Sequence, residues 1–429
     1  MRICFVSRRY WPAVSGMSVY AENLLRELVA LGHDVTLIAQ YRDDPVGRGV
    51  YGGGPPPPER VPAGVTVVGA ESVGEALSVG DPSLSEDGQP ADFEGDVARL
   101  VALVEELSDS ERGGAPFDLL HAQYGYPPGL AVLEASRRLG VPNVVSIQGG
   151  DGHWVGTCCS THKTAITTVL DRAQAVLIGS ESFAGEVIDL HGTDRERFTV
   201  IGGATDCDRF TPAALPPPPD VPVLIYHGRV DRRKGVLDLL DALPLMRTPA
   251  RLVVSGIGPD LDEVRRRVAD ASGGLAGRVE LTGYAAYDDA PAVYQRGTVF
   301  VSPTYSEGFS NTVLEAMACG LPVVSTAVVG VVDCLRDGEN GLLVEPGDPG
   351  ALAGALDRLL EDPELYQRLR DAALTEVREQ YSWPVLAGRI DAVYRELAGS
   401  KPDPTLLPRE VLEGPIDPSC RFRSAPHLL

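Results

Sequence analysis

Two pairs of charged residues in the second half of the chain carry the clearest chemistry. Glu307 and Glu315 stand with seven residues between them in the run Tyr305–Ser325. The strand-like TVFVSP ends there in a glycine-containing loop, Glu307-Gly308-Phe309-Ser310, which turns into the helix-forming NTVLEAMAC. Ser310 or Asn311 is a natural N-cap. Such a loop and first helical turn present backbone N–H groups and a positive dipole end, an arrangement that suits phosphate. Carboxylates are poor phosphate ligands but good acceptors for sugar and ribose hydroxyls. The second pair, Arg229 and Lys234, lies in HGRVDRRKG between the strand-like VLIY and the helix-forming VLDLLDAL. A guanidinium fork with an ammonium point charge can neutralise a diphosphate leaving group. Solvated surface charges could produce either pair alone. The Gly-Phe punctuation between the glutamates and the immediate return to an apolar strand argue against that for Glu307 and Glu315.

These residues need a sheet to hold them, and the sequence supplies two. RICFVS reads as a short strand, SVYAENLLRELVALG as a helix with Val19, Leu24, Leu25, Leu28 and Leu31 on one face, and HDVTLIAQ as a strand again. FDLLHA, PNVVSIQ and AVLIGS continue the alternation, with helical stretches between them. After the proline-rich TPAALPPPPDVP (211–222), which reads as a stiff linker, VLIYHGRV opens a second alternating run through RLVVSGIG, RVELTGY, TVFVSP and LPVVST. We therefore expect an α/β protein of two Rossmann-like, doubly wound domains with parallel sheets. The boundaries expected are 1–213, 214–384, and 385–429 as a final helix crossing back to the first domain plus a proline-rich tail. Residues 42–96 hold eight prolines and eleven glycines, so they read as a flexible insertion or lid outside this rhythm.

The chain has 429 residues, 38 Lys and Arg against 60 Asp and Glu, and a net charge of −22. That balance argues against nucleic acid or anionic lipid as a partner. No apolar run reaches the roughly 18 residues of a membrane span, and the N-terminus reads as strand, not signal peptide. A cytoplasmic monomer or homodimer is expected. Residues 1–221 carry 16 cations and 30 acids, a net −14, so most of the excess lies in the first half. The seven cysteines are scattered and odd in number. His153, Cys158, Cys159 and His162 form one tempting cluster, but adjacent cysteines are an awkward start for tetrahedral closure, and we read them as reduced structural thiols with no metal.

GRVDRRKG, SGIGPD, TGY, EGFSNTVLEAMACGLPVVST and DGENGLLVEPGD resemble the donor half of family-4 glycosyltransferases with the GT-B fold. SGMSVYAENLLRELVALGHDV resembles that family's opening. The resemblance runs over most of residues 1–395 and leaves out 42–96. It implies sugar transfer from a nucleotide sugar with retention of configuration, across a cleft faced by the two domains, with no cofactor and no essential metal. By the same resemblance Arg229 and Lys234 bind the diphosphate. Glu307 is the catalytic carboxylate beside the donor sugar, and Glu315 takes the ribose hydroxyls. Gly308, Phe309, Ser310 and Asn311 line sugar and phosphate, and Gly16 approaches the diphosphate.

The sequence departs from the family in three places. The usual paired glycines before the first helix read Ser15-Gly16, the usual Asn-Gly-Val-Asp reads Gly203-Ala204-Thr205-Asp206, and the usual His-Gly of the acceptor half reads Gln148-Gly149. His153 in QGGDGHWVG is then the candidate catalytic-side histidine, with His121 an equal claimant for a structural role. Tyr10, Gln123, Gln148 and Asp151 are the acceptor-side candidates. No Lys or Arg lies between 139 and 162, so a cationic acceptor fits better than a phosphorylated one. The stretch is also similar to transferases of aminoglycoside pathways that glycosylate 2-deoxystreptamine, with UDP-N-acetylglucosamine or UDP-glucose as donor. The alternatives are a transferase for a lipid or cell-envelope glycan and a GT-B sugar-nucleotide epimerase. A dinucleotide oxidoreductase lacks its GxGxxG after either leading strand.

Overall fold

A computed structural model describes residues 1–13, 15–43, 52–72, 93–213, 221–270, 274–412 and 420. The chain divides into two units, one of Met1–Ile201 with Leu386–Leu429 and the other of Gly202–Val385.

The first unit is a parallel sheet of β1 (Arg2–Ser7), β2 (Asp34–Tyr41), β3 (Val65–Glu71), β4 (Leu119–Gln123), β5 (Asn143–Ile147), β6 (Ala175–Ile178) and β7 (Phe198–Val200). Their order is β3-β2-β1-β4-β5-β6-β7. Ile3, Cys4, Phe5 and Val6 of β1 are all buried, as a central strand covered on both faces requires. The covering helices are α1 (Gly16–Ala30), α2 (Phe93–Ser108), α3 (Leu130–Leu139), α4 (Gly149–His153), α5 (Ser160–Arg172) and α6 (Glu181–His191). Leu24, Leu25 and Leu28 bury the core face of α1. Leu31, expected on that face, is instead the exposed C-cap, and Gly32 beyond it takes φ 87°.

The second unit repeats the plan with β8 (Val223–His227), β9 (Arg251–Ser255), β10 (Val279–Gly283), β11 (Val299–Ser302), β12 (Val323–Thr326) and β13 (Leu342–Val344). All its strands are parallel, in the order β10-β9-β8-β11-β12-β13. Its helices are α7 (Val236–Ala242), α8 (Leu261–Ala269), α9 (Ala290–Tyr294), α10 (Asn311–Ala318), α11 (Pro349–Glu361) and α12 (Pro363–Gln380). The chain then continues through α13 (Trp383–Leu397) and a short α14 (Arg409–Leu412).

Two expected boundaries move. The stretch 42–96 is not wholly an insertion: β3 pairs in register with β2 from Val35↔Val65 to Tyr41↔Glu71, and α2 begins at Phe93. The remainder of that stretch, 44–51 and 73–92, lies outside the described residues, as do 214–220 of the expected linker and 413–419 and 421–429 of the tail. The second unit starts at Gly202, not 214, because Phe210 is buried against Tyr294 and Phe300, and Thr205 N–H donates to Tyr381 O at 2.8 Å. From Leu386 the chain rejoins the first unit. Tyr394 on α13 meets His121 at 2.5 Å, and Asp391 accepts from His33 at 2.9 Å.

Each sheet reverses direction of strand order at one place, between β1 and β4 and between β8 and β11. In open parallel sheets ligands bind beyond the carboxyl ends of the strands at this switch point.

Candidate active site

In the second unit both charged pairs sit at that switch point. Arg229 and Lys234 follow β8, and Glu307 follows β11. Lys234 Nζ lies 2.7 Å from Glu307 Oε1 and donates to Ser306 O at 3.4 Å. Arg229 Nε lies 3.4 Å from Asp231 Oδ2, with its side chain largely exposed. Burial alone would raise the Asp231 carboxyl, but hydrogen bonds from Arg233 and the nearby Arg229 hold it below the ordinary range. Asp231 thereby anchors the basic loop, with Arg229 exposed and Lys234 turned to Glu307.

Glycine fixes how close the two loops come. Gly235 has φ 71°, and a Cβ there would fall 1.8 Å from Pro303 O, so no other residue lets the end of the basic loop lie on the end of β11. Gly330 does the same beneath the acidic loop, where a Cβ would meet Glu307 O at 2.3 Å. Glu307 N–H and Ser310 N–H donate to Val329 O and Gly330 O, which sets the path of Gly308 and Phe309.

Ser310 is the N-cap of α10, as expected, but its side chain makes no capping hydrogen bond. Its Oγ and Asn311 Oδ1 are both buried without a partner. The helix end therefore keeps its positive pole unanswered by any side chain of its own, beside the Lys234–Glu307 pair. Gly203 lies under this turn, where a Cβ would stand 2.3 Å from Asn311 Oδ1 and 2.5 Å from the Phe309 ring. The departure Gly203-Ala204-Thr205-Asp206 thus brings bare backbone against Phe309 and Asn311. Asp206 accepts from the N–H groups of Asp208 and Arg209, closing the turn that follows.

Glu315 points one turn further along α10. Its carboxylate accepts from Tyr294 Oη at 2.6 Å, and burial pushes it up to about 7 despite that bond. Tyr294 was not singled out from sequence; no motif surrounds it. His227 packs edge-on against the Tyr294 ring, is pushed down to about 4 by burial and bonds Ser255 Oγ at 3.1 Å.

The first unit holds the remaining candidates. Gly16 opens α1 with nothing within 4 Å of where a Cβ would be, so neither packing nor backbone requires glycine there. What its bareness preserves is open surface. Gln123 is buried at the end of β4, accepting from Ser7 Oγ at 2.7 Å and donating to Met17 O at 3.1 Å. It positions the Gly16 loop and offers nothing outward. Tyr10 is likewise buried, with its hydroxyl on Arg60 O at 2.6 Å. Asp151 is fully buried and takes N–H donors from Gln148 at 2.6 Å and from Gly125. Burial pushes its carboxyl up to about 7 against those bonds and the nearby Arg8. Of the four acceptor-side candidates, only Gln148 presents a partly open side chain; the other three are spent on shaping the loops.

His153 ends α4 with Nδ1 2.5 Å from Glu186 Oε1 and its ring on Phe183, centroids 4.7 Å apart. A carboxylate on one nitrogen orients a histidine whose other nitrogen can serve chemistry. His121 is structural: fully buried, bonded to Tyr394 and to Ser146 Oγ at 2.7 Å, and pushed down to about 3 by burial. Arg8, which sequence reading passed over, is buried with its guanidinium 4.7 Å from the Tyr124 ring centroid. His153 also leaves the suspected metal cluster: Cys158, Cys159 and His162 gather instead with Cys420.

Two doubly wound parallel sheets, the second with cations and carboxylates gathered at its switch point, are the two Rossmann-like units of a GT-B architecture. Residues 15–204 match the glycosyl transferase 4-like domain, and residues 221–362 match the model of glycosyl transferases group 1. A D-inositol 3-phosphate glycosyltransferase of Frankia alni is 30% identical over 417 residues, covering 89% of this chain and 94% of its own. A glycogen synthase of Mycobacterium tuberculosis is 27% identical over 410 residues, covering 92% and 94%. The crystal structure of Anabaena Alr3699/HepE in complex with UDP superposes with a TM-score of 0.69 at 20% identity, covering 92% of this chain and all of that one. The chain belongs to the group 1 glycosyltransferases of the GT-B fold, and is an enzyme of that class. Among the described residues no helix is long and apolar enough to cross a membrane.

Proposed function

We propose that the chain is a retaining transferase that moves a hexose or N-acetylhexosamine from a UDP-sugar to a small cationic aminocyclitol such as 2-deoxystreptamine. The observation that carries the donor side is the convergence of Lys234, Glu307 and the side-chain-free N-terminus of α10 at one switch point. A UDP complex in a structural neighbour of the same fold supports a uridine nucleotide. Arg229 and Lys234 take the diphosphate, and Glu315 takes the ribose hydroxyls. The bond between the anomeric carbon and the phosphate oxygen breaks, its electron pair leaving with the diphosphate. The acceptor hydroxyl adds to the oxocarbenium-like carbon from the same face and gives its proton to the departing phosphate. Cations and helix N–H groups stabilise the diphosphate most as its charge develops, so their effect falls on the transition state. Because protein cations supply the positive charge, the step is expected to run without a divalent ion at the diphosphate.

The acceptor assignment is supported by the net −14 of residues 1–221 and by the lack of Lys and Arg in the sequence from 139 to 162. The relatives named above carry different acceptors in their names, a phosphorylated inositol and glycogen, which makes the acceptor the property to test first. Purified protein is incubated with UDP-N-acetylglucosamine or UDP-glucose against a panel of aminocyclitols, inositol phosphate and glucan, and products are read by mass spectrometry. Mono-glycosylated 2-deoxystreptamine is expected. Transfer to the other acceptors only refutes the aminocyclitol reading, and turnover of the UDP-sugar to an epimer without acceptor refutes transfer itself.

A further inference from the structure

The N-terminal unit contains a second constellation that the transfer chemistry does not use. Cys158, Cys159, His162 and Cys420 bring their ligand atoms within 4.8 Å of one another. His162 Nδ1 lies 3.3 Å from Cys158 Sγ, 3.1 Å from Cys159 Sγ and 3.4 Å from Cys420 Sγ. One ring nitrogen, with a single lone pair or proton to share, does not hydrogen-bond three sulfurs at once. A shared cation does. Zinc with Zn–S near 2.3 Å and Zn–N near 2.0–2.1 Å sets sulfur and nitrogen about 3.5 Å apart on a tetrahedron. The three observed separations are nearly equal and close to that value.

The local fold also brings two of the ligands together. Cys159 is the N-cap of α5, extended at φ −166° and ψ 170°, so the first helical turn carries His162 back over it. His162 N–H donates to Cys159 Sγ at 3.5 Å, so the first turn of this 13-residue helix holds the sulfur and the imidazole side by side. Three sulfurs and an imidazole select zinc over oxygen-seeking Mg²⁺ or Ca²⁺. Cys158, His162 and Cys420 are buried, and four protein ligands leave no open position for substrate, the mark of a structural site.

We propose that the chain binds one structural zinc ion through Cys158, Cys159, His162 and Cys420, and that this ion fastens Cys420 to the loop following His153. It does not depend on the identity of donor or acceptor. No disulfide joins any of these cysteines in the structure.

The full chain, expressed with zinc and dialysed against metal-free buffer, is assayed by plasma mass spectrometry. About one zinc per chain is expected for a four-ligand site. Cys420→Ser should lower this at least tenfold, while Cys207→Ser, in the other unit, leaves it unchanged. Replacement by Co²⁺ should give the intense visible bands of tetrahedral cobalt with sulfur charge transfer. Should Cys420→Ser misfold, alkylation of the wild-type chain still decides: Cys158, Cys159 and Cys420 should react at least tenfold faster after chelation. Wild-type protein without zinc or a tetrahedral cobalt spectrum, zinc retained in Cys420→Ser, or a disulfide among these cysteines overturns the proposal.

Discussion

Glu315 should make nucleotide-sugar binding depend on pH near neutrality, and Tyr294 should set where. In the free protein burial pushes its carboxyl up to about 7. Ribose hydroxyls donate to the carboxylate, so binding requires the ionised form. The affinity for UDP-glucose should therefore weaken by up to about tenfold per pH unit below 7 and level off above it, one unit being 1.36 kcal/mol. UDP-glucose suits the test because its phosphodiesters do not titrate in this range, and His227, pushed down to about 4, stays neutral. Tyr294→Phe removes the 2.6 Å bond that opposes burial. A hydrogen bond to a charged group contributes about 1.5–3 kcal/mol, which corresponds to an upward displacement of roughly one to two pH units. Near pH 8 the variant should bind up to about tenfold more weakly and recover in more alkaline buffer. Calorimetric titration from pH 6 to 9 measures both curves. Stability runs the other way: with the folded value raised above 4.5, Glu315 contributes stability that is full below about 4.5 and is lost as pH rises through 7. Wild-type affinity that is flat across pH 6–8, or a variant curve that drops without moving its midpoint, refutes the assignment of Glu315 to the ribose.

Other consequences are equally open to measurement. Glu307→Gln should slow transfer by about 10²–10³-fold if it stabilises the developing charge, yet bind UDP a few-fold more tightly, because Lys234 loses its 2.7 Å competitor; near-full transfer would remove Glu307 from the reaction. Gly235→Ala should abolish donor binding, since φ 71° and a Cβ 1.8 Å from Pro303 O force the two loops apart; unchanged UDP affinity by calorimetry would contradict that packing. Tyr394→Phe should lower chemical-denaturation stability by about 1–3 kcal/mol by leaving buried His121 short of a partner, with no change in UDP affinity.

The donor half was legible because its signals are local. Strand, loop and helix follow one another within Tyr305–Ser325, and the charges of HGRVDRRKG lie on the turn between adjacent elements. The acceptor half was less legible. Tyr10, Gln123 and Asp151 look like outward hydrogen-bonding groups in sequence, yet each turns inward: Tyr10 and Gln123 donate to the carbonyls of Arg60 and Met17, and Asp151 accepts from Gly125 N–H. Polar residues at strand ends can serve a ligand or the fold, and composition does not distinguish the two. Proline and glycine content misled the reading of 42–96, because β3 is an edge strand whose alternation is broken by its own Gly69. Tyr294 and Arg8 carried no pattern at all.

Sequence alone determined the two alternating α/β halves, the switch-point charges and the family, because periodicity, turn residues and charge spacing act over a few neighbouring positions. Tertiary structure decided what long-range closure decides. It joined Lys234 to Glu307 and gave Glu315 its raised carboxyl beneath Tyr294. It withdrew three polar side chains from the surface. It also set Cys420 beside His162, 258 positions away, and no spacing rule reaches that far. Burial and convergence are properties of the folded chain, and both the titration of Glu315 and the gathering of four metal-binding side chains depend on them.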